Sequence, residues 1–85
     1  MLISAEWQQL KSKHPELRGA FETIEKHCSD LAGAETKHQR ASIITSLQKK
    51  LAALPASMPD VDIQGELSVE LFATQLAGEM ARQAL

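Results

Sequence analysis

Cysteine is almost absent from this 85-residue chain, since Cys28 stands alone. One cysteine cannot form an internal disulfide, so the disulfide framework typical of small secreted domains is excluded. The first residues also lack the basic region and apolar run that together mark a signal peptide. We therefore expect a soluble protein of the cytoplasm.

Long apolar runs are missing as well. No stretch approaches the roughly 18 consecutive apolar residues that a transmembrane helix requires. A helix lying on a membrane surface needs Lys or Arg beside its apolar face, and the last apolar segment of the chain carries only Arg82. We expect no membrane association.

Positive charge is too scarce for a typical nucleic-acid-binding domain. The net charge is −2, whereas nucleic-acid binding depends on clustered positive charge that displaces counterions. Residues 1–54 carry a net +2, and residues 55–85 carry Arg82 alone against five acidic residues, a net −4. This asymmetry favours docking of the acidic segment against the more basic part of the same chain, and the alternative is an acidic face for a basic partner.

Apolar residues are plentiful and recur at helical spacing. In the first third of the chain a row of residues, apolar except for His14, has alternating separations of three and four residues, as in a heptad seam: Trp7, Leu10, His14, Leu17, Phe21, Ile24, Cys28 and Leu31. Pro15 interrupts this row and disfavours helical geometry at His14. We predict helix over 5–31 with a bend or break near 14–15, the break giving a short extra N-terminal helix.

Two further helices are indicated downstream. Thr36 and Gln39 have the spacing of a capping box, which predicts a helix over 36–54. Two prolines and a glycine predict an irregular connection at 55–66, after which Ser68 is the expected N-cap of a helix over 68–84. The sequence thus predicts one all-α domain over 1–85, a small bundle of three main helices.

The predicted core collects the large apolar residues of these helices. It comprises Trp7, Leu10, Leu17, Phe21, Ile24, Ile44, Leu47, Leu51, Phe72, Leu76 and Met80.

The last helix has a second apolar stripe opposite its core face. The stripe consists of Leu67, Leu71, Gly78 and Leu85. A helix that is apolar on two sides usually lies between two neighbours, and a terminal helix of a small bundle has few of them. Either the leucines cover the 55–66 connection, or the stripe is a protein-binding interface, within a homodimer or with another protein.

Residues for catalysis or metal binding do not form a recognisable pattern. His27 and Cys28 are adjacent and diverge on a helix, while His14 and Cys28 are separated by two heptads, about 21 Å along a helix. A metal site that also used His38 would need the fold to bring these side chains together. We predict no catalytic residues, no metal, no cofactor and no small-molecule substrate.

The best basic cluster is Lys37, Arg40, Lys49 and Lys50, on the second main helix. It supports an alternative function as a small nucleic-acid-binding regulator, although a solvated helix face is the favoured interpretation because no aromatic residue is interleaved for base stacking. The main expectation is a non-enzymatic protein-interaction module, such as an adaptor, chaperone or small regulator, that docks a partner or itself through apolar helix faces.

Overall fold

The structure is a computed structural model that describes the backbone of residues 3–54 and 61–83 and the side chains of 5–54 and 61–82. Over these ranges the chain forms α1 (Ile3–Lys13), α2 (Arg18–Ala32), α3 (Lys37–Ala52) and α4 (Glu66–Gln83). No strand occurs in the described ranges. The predicted all-α fold, with three main helices preceded by a short N-terminal one, is confirmed.

Pro15 breaks the first predicted helix rather than kinking it. His14 has φ −131° and ψ 63°, outside the helical region, because the ring of the following proline crowds its backbone. Pro15 then begins a short 3₁₀ turn, Pro15–Leu17, that leads into α2. Residues of the seam on both sides of the break, Trp7 and Phe21, are nevertheless buried in the same core.

α3 begins as its sequence predicts. The Thr36 hydroxyl accepts a hydrogen bond from the Gln39 amide, and the Gln39 side chain accepts from the Thr36 amide, at 3.1 and 3.2 Å. The same Gln39 oxygen also accepts from the Glu35 amide, at 2.9 Å. Three backbone N–H donors at the helix start are thereby satisfied by two side chains.

α4 begins two residues earlier than predicted, and the prediction of Ser68 as its N-cap is wrong. The Ser68 hydroxyl accepts instead from the backbone amide of Asp62, at 2.9 Å. Gly65 supplies the carbonyl that accepts from the Val69 amide, at 3.0 Å. Ser68 therefore ties the preceding segment to the helix, and residues 55–60 of the predicted connection lie outside the described residues.

The core lies where α4 contacts the other three helices. Trp7 is at its centre, with its ring 5.2 Å from that of Phe21 and 5.7 Å from that of Phe72 in edge-to-face arrangements. Such contacts join α1, α2 and α4 around one indole. Of the predicted core residues, Leu10, Leu17 and Met80 are only partly buried and pack against its rim.

Within the described residues, no helix is both long enough and apolar enough to cross a membrane.

Candidate protein-interaction face

The inner side of α4 is fully used by the core. Val69, Phe72, Ala73 and Leu76 are each at most 1% exposed. Phe72 and Ala73 lie three and four residues after Val69, and Leu76 lies four and three residues after them, so all four share one helix face. Ala77 and Met80 are partly buried and pack against the core from the same side.

The opposite side of α4 exposes large apolar side chains. Leu67 is 76% exposed and Leu71, one turn later, is 62% exposed. Farther along, Gly78 is exposed, and a β carbon built there would meet nothing within 4 Å. The structure thus places three members of the predicted stripe on one uncovered helix side, while Leu85 lies outside the described residues.

Two further residues belong to this side and were missed from the sequence. Thr74 and Ala81 are exposed and complete a row with separations of four, three, four and three residues. The row has heptad spacing, the signal that identified the first seam, but small and polar residues conceal it. We call it the outer face of α4 and define it as Leu67, Leu71, Thr74, Gly78 and Ala81.

Side-chain size changes along the outer face. Its N-terminal half carries the two leucines, and its C-terminal half carries Gly78 and Ala81. Large side chains therefore protrude from the N-terminal half of the outer face, whereas the backbone is nearly uncovered in the C-terminal half. A surface that packs against it needs a recess for the leucines and protruding side chains opposite Gly78 and Ala81.

Charged groups border the outer face at its two ends. Glu66 and Arg82 are both exposed, near the start and the end of α4. Glu70 is directed elsewhere, because its carboxylate lies 3.4 Å from the Arg40 guanidinium of α3. This ion pair joins the acidic part of the chain to the basic part, the kind of internal docking that the charge asymmetry favours.

The four basic residues of the alternative function do not form one patch. All four are exposed, yet Lys49 lies about 18 Å along α3 from Lys37, and Lys49 and Lys50 point about 100° apart on the helix. Arg40 is also engaged by Glu70. Only Lys37 and Arg40, three residues apart, lie next to each other on the helix.

Cys28 is only 1% exposed, and this burial raises the pKa of its thiol from 9.0 to about 12. The nearby Glu25 carboxylate raises the pKa further, whereas a backbone hydrogen bond lowers it. The thiol is therefore protonated at neutral pH.

His14 contacts Glu16, with Nδ1 and the carboxylate oxygen 3.3 Å apart. Among the described residues, no three His, Cys, Asp or Glu side chains are arranged to hold a metal ion.

The described surface includes two open depressions. One, of about 370 Å³, lies where α2 meets α3 and is bordered by Asp30 and His38. The other, of about 340 Å³, lies beside the break at Pro15 and is bordered by Lys11 and Glu25. Lys11 and Glu25 bind each other at 2.8 Å, so their charges are already satisfied within the chain.

No protein-family model, curated protein or solved structure matches this chain significantly.

Proposed function

We propose that this chain is a non-enzymatic protein-interaction module that docks a partner, or itself, through the outer face of α4. The observation that carries the proposal is the exposure of Leu67 and Leu71, 76% and 62%, side by side on a helix whose inner side is already filled. Full burial of a leucine is worth about 1.5–3 kcal/mol, so a protein that covers both leucines gains substantially.

The shape of the outer face fits a helical partner. A row of residues at alternating three- and four-residue spacing is the pattern by which helices pack lengthwise. Gly78 and Ala81 allow the backbone of a partner to come close at the bare end, while the leucines insert between its side chains. A protein of this kind acts as an adaptor, a chaperone or a small regulator by covering an apolar surface of its partner.

The charges near the outer face are expected to orient a docking partner more than to increase its affinity. Residues 55–85 carry a net −4, and the exposed ends of the outer face carry opposite charges on Glu66 and Arg82. Charges at the rim of an interface chiefly set the encounter rate and the register of docking. The apolar row therefore supplies the binding free energy, and binding should depend only weakly on salt.

Nucleic-acid binding receives no comparable support. Lys37, Arg40, Lys49 and Lys50 are dispersed around and along α3, so they do not line one groove for a phosphate backbone. A nucleic-acid complex would lose affinity steeply as salt rises. Fluorescence anisotropy with labelled duplex and single-stranded oligonucleotides at low and high salt measures this directly.

Site-specific photo-crosslinking in the native cell tests the proposal. A benzophenone side chain is placed at position 71, and in a matched control at position 49, which is exposed on α3. We expect discrete protein adducts from position 71, because a partner covers it, and none of the same mass from position 49.

A second arm introduces Leu67→Glu beside the benzophenone. A charge on the apolar row should weaken docking and reduce the yield of the adduct at least tenfold. Equal adducts from positions 71 and 49, or an adduct unaffected by Leu67→Glu, would show that the outer face is not a docking surface.

A further inference from the structure

We infer that α1 is a lid, held closed by Glu25, that opens as a unit about the break at Pro15 and uncovers the rings of Phe21 and Phe72. The other three helices stay packed when the lid opens. The lid covers the inner side of α4, so the inference does not depend on the outer face or on what binds there.

The three longer helices share a core to which α1 adds little. α2, α3 and α4 each pack against the other two. Among the described residues, Trp7 is the single fully buried core residue that α1 supplies, and Leu10 only packs at the rim. Opening α1 therefore exposes one large side chain and leaves the rest of the core on three helices that contact one another, as in the local opening of a cooperative unit.

The backbone of α1 is not continuous with that of α2. Pro15 has no N–H, so it cannot donate to a carbonyl of α1. His14 lies outside the helical region, and its carbonyl accepts from the Leu17 amide at 3.0 Å, within the connection itself. Rotations in residues 14–17 can therefore swing α1 away without breaking the hydrogen bonds of α2, as in other hinges.

An open depression separates the C-terminal end of α1 from α2. It has a volume of about 340 Å³ and is bordered by Lys11 and Ser12 on one side and by Phe21 and Glu22 on the other. The side chains of α1 and α2 are thus not in continuous contact at this end. Sparse apolar contact is typical of elements that open locally.

Glu25 links α2 to α1 beside this depression. Its Oε2 accepts from the indole N–H of Trp7 and from Nζ of Lys11, both at 2.8 Å. One carboxylate thereby holds α1 at two points, and hydrogen bonds to a charged group are stronger than neutral ones. α1 has 11 residues, fewer than the roughly 12–15 that an isolated helix needs in water, so it loses its helical structure once released.

Urea unfolding followed by two signals tests the lid. The chain has one tryptophan and no tyrosine, so its fluorescence reports the surroundings of Trp7 alone. Far-ultraviolet circular dichroism reports all the helices. We expect the fluorescence to shift to the wavelength of an exposed indole at a lower urea concentration than that at which most of the circular dichroism is lost. Coincident transitions would overturn the inference, because α1 and the other helices would then unfold together.

Glu25→Ala removes the carboxylate that holds the lid closed. We expect the open fraction to rise about tenfold, as for the loss of a hydrogen bond to a charged group. The fluorescence transition should move to lower urea while the main loss of circular dichroism stays in place. Glu22→Ala is the matched control, because Glu22 lies on the same helix and pairs with Arg18 of α2 itself, at 3.0 Å. This control should leave both transitions near those of the wild type.

The remaining outcomes of the Glu25→Ala experiment overturn the inference. Equal shifts of both transitions, or loss of the whole helical signal before urea is added, would mean that Glu25 supports the entire bundle. An unchanged fluorescence transition, or a shift no larger than that of Glu22→Ala, would mean that Glu25 does not hold α1 closed.

Discussion

Trp7 shows at the scale of one residue how α1 is attached to the bundle. Its ring contacts Phe21 and Phe72, and its indole N–H donates to Glu25 Oε2 at 2.8 Å. The same carboxylate oxygen accepts from Lys11 at 2.8 Å. The largest side chain of the core is thus buried with its polar atom satisfied.

The role of Glu25 shows what residue spacing does not reveal. Periodicity predicts that Trp7 is buried, because its position in the apolar row is a property of the local sequence. The acceptor for the indole lies 18 residues away, beyond the break at Pro15. The position of that acceptor depends on the angle between α1 and α2, which the spacing of apolar residues does not specify.

Cys28 gives a prediction for alkaline pH. Burial raises the pKa of its thiol from 9.0 to about 12, so the folded chain keeps a proton that the unfolded chain releases above pH 9. The stability that this provides is fully present below pH 9 and is lost as pH rises toward 12. We expect the free energy of unfolding to fall by up to about 1.4 kcal/mol per pH unit in this window from this group.

Urea unfolding of the wild type and of Cys28→Ala between pH 8 and 11 measures the effect. Cys28→Ala lacks the thiol, so its stability should fall less steeply above pH 9, although it starts lower because a buried side chain has been shortened. Parallel pH profiles for the two proteins would contradict the assignment of a buried, protonated thiol.

At the scale of the elements, the start of a helix was predictable from the sequence where the capping side chain had no competing hydrogen-bond partner nearby. The Thr36–Gln39 box forms as its spacing indicates. Ser68 has the residue type of an N-cap, but its hydroxyl binds the Asp62 amide, while the Asp62 carboxylate accepts from Gln64. Local hydrogen bonds within 61–65 compete with the cap and set the start of α4 two residues earlier.

Thr36→Ala tests the capping box. Removing the hydroxyl leaves the Gln39 amide without its acceptor, so the free energy of unfolding should fall by about 1 kcal/mol. The matched control is Thr45→Ala in the interior of α3, where alanine favours the helix and the stability should stay within about 0.5 kcal/mol of wild type or increase. Chemical unfolding of both variants measures the difference. A loss no greater for Thr36→Ala than for Thr45→Ala would mean that α3 does not depend on the box.

At the scale of the whole molecule, α4 is distinguished by its two apolar sides. The sequence predicts both sides from periodicity, but periodicity does not say whether a neighbour covers each one. The structure shows the inner side packed by α1, α2 and α3, and Leu67 and Leu71 exposed on the other. Thr74 and Ala81 extend that side and were missed because neither is a large apolar residue.

The most direct measurement of the central claim is the stability of the double variant Leu67→Gln with Leu71→Gln, at a concentration where the wild type sediments as a monomer. Glutamine has nearly the helix propensity of leucine and no charge, so the comparison isolates burial. If the outer face is free in the monomer, the free energy of unfolding should change by no more than about 0.5 kcal/mol. Leu76→Ala, on the inner side, should lose about 2–5 kcal/mol. A double variant that is destabilised as strongly as Leu76→Ala would place these leucines in the core and contradict the proposed interaction face.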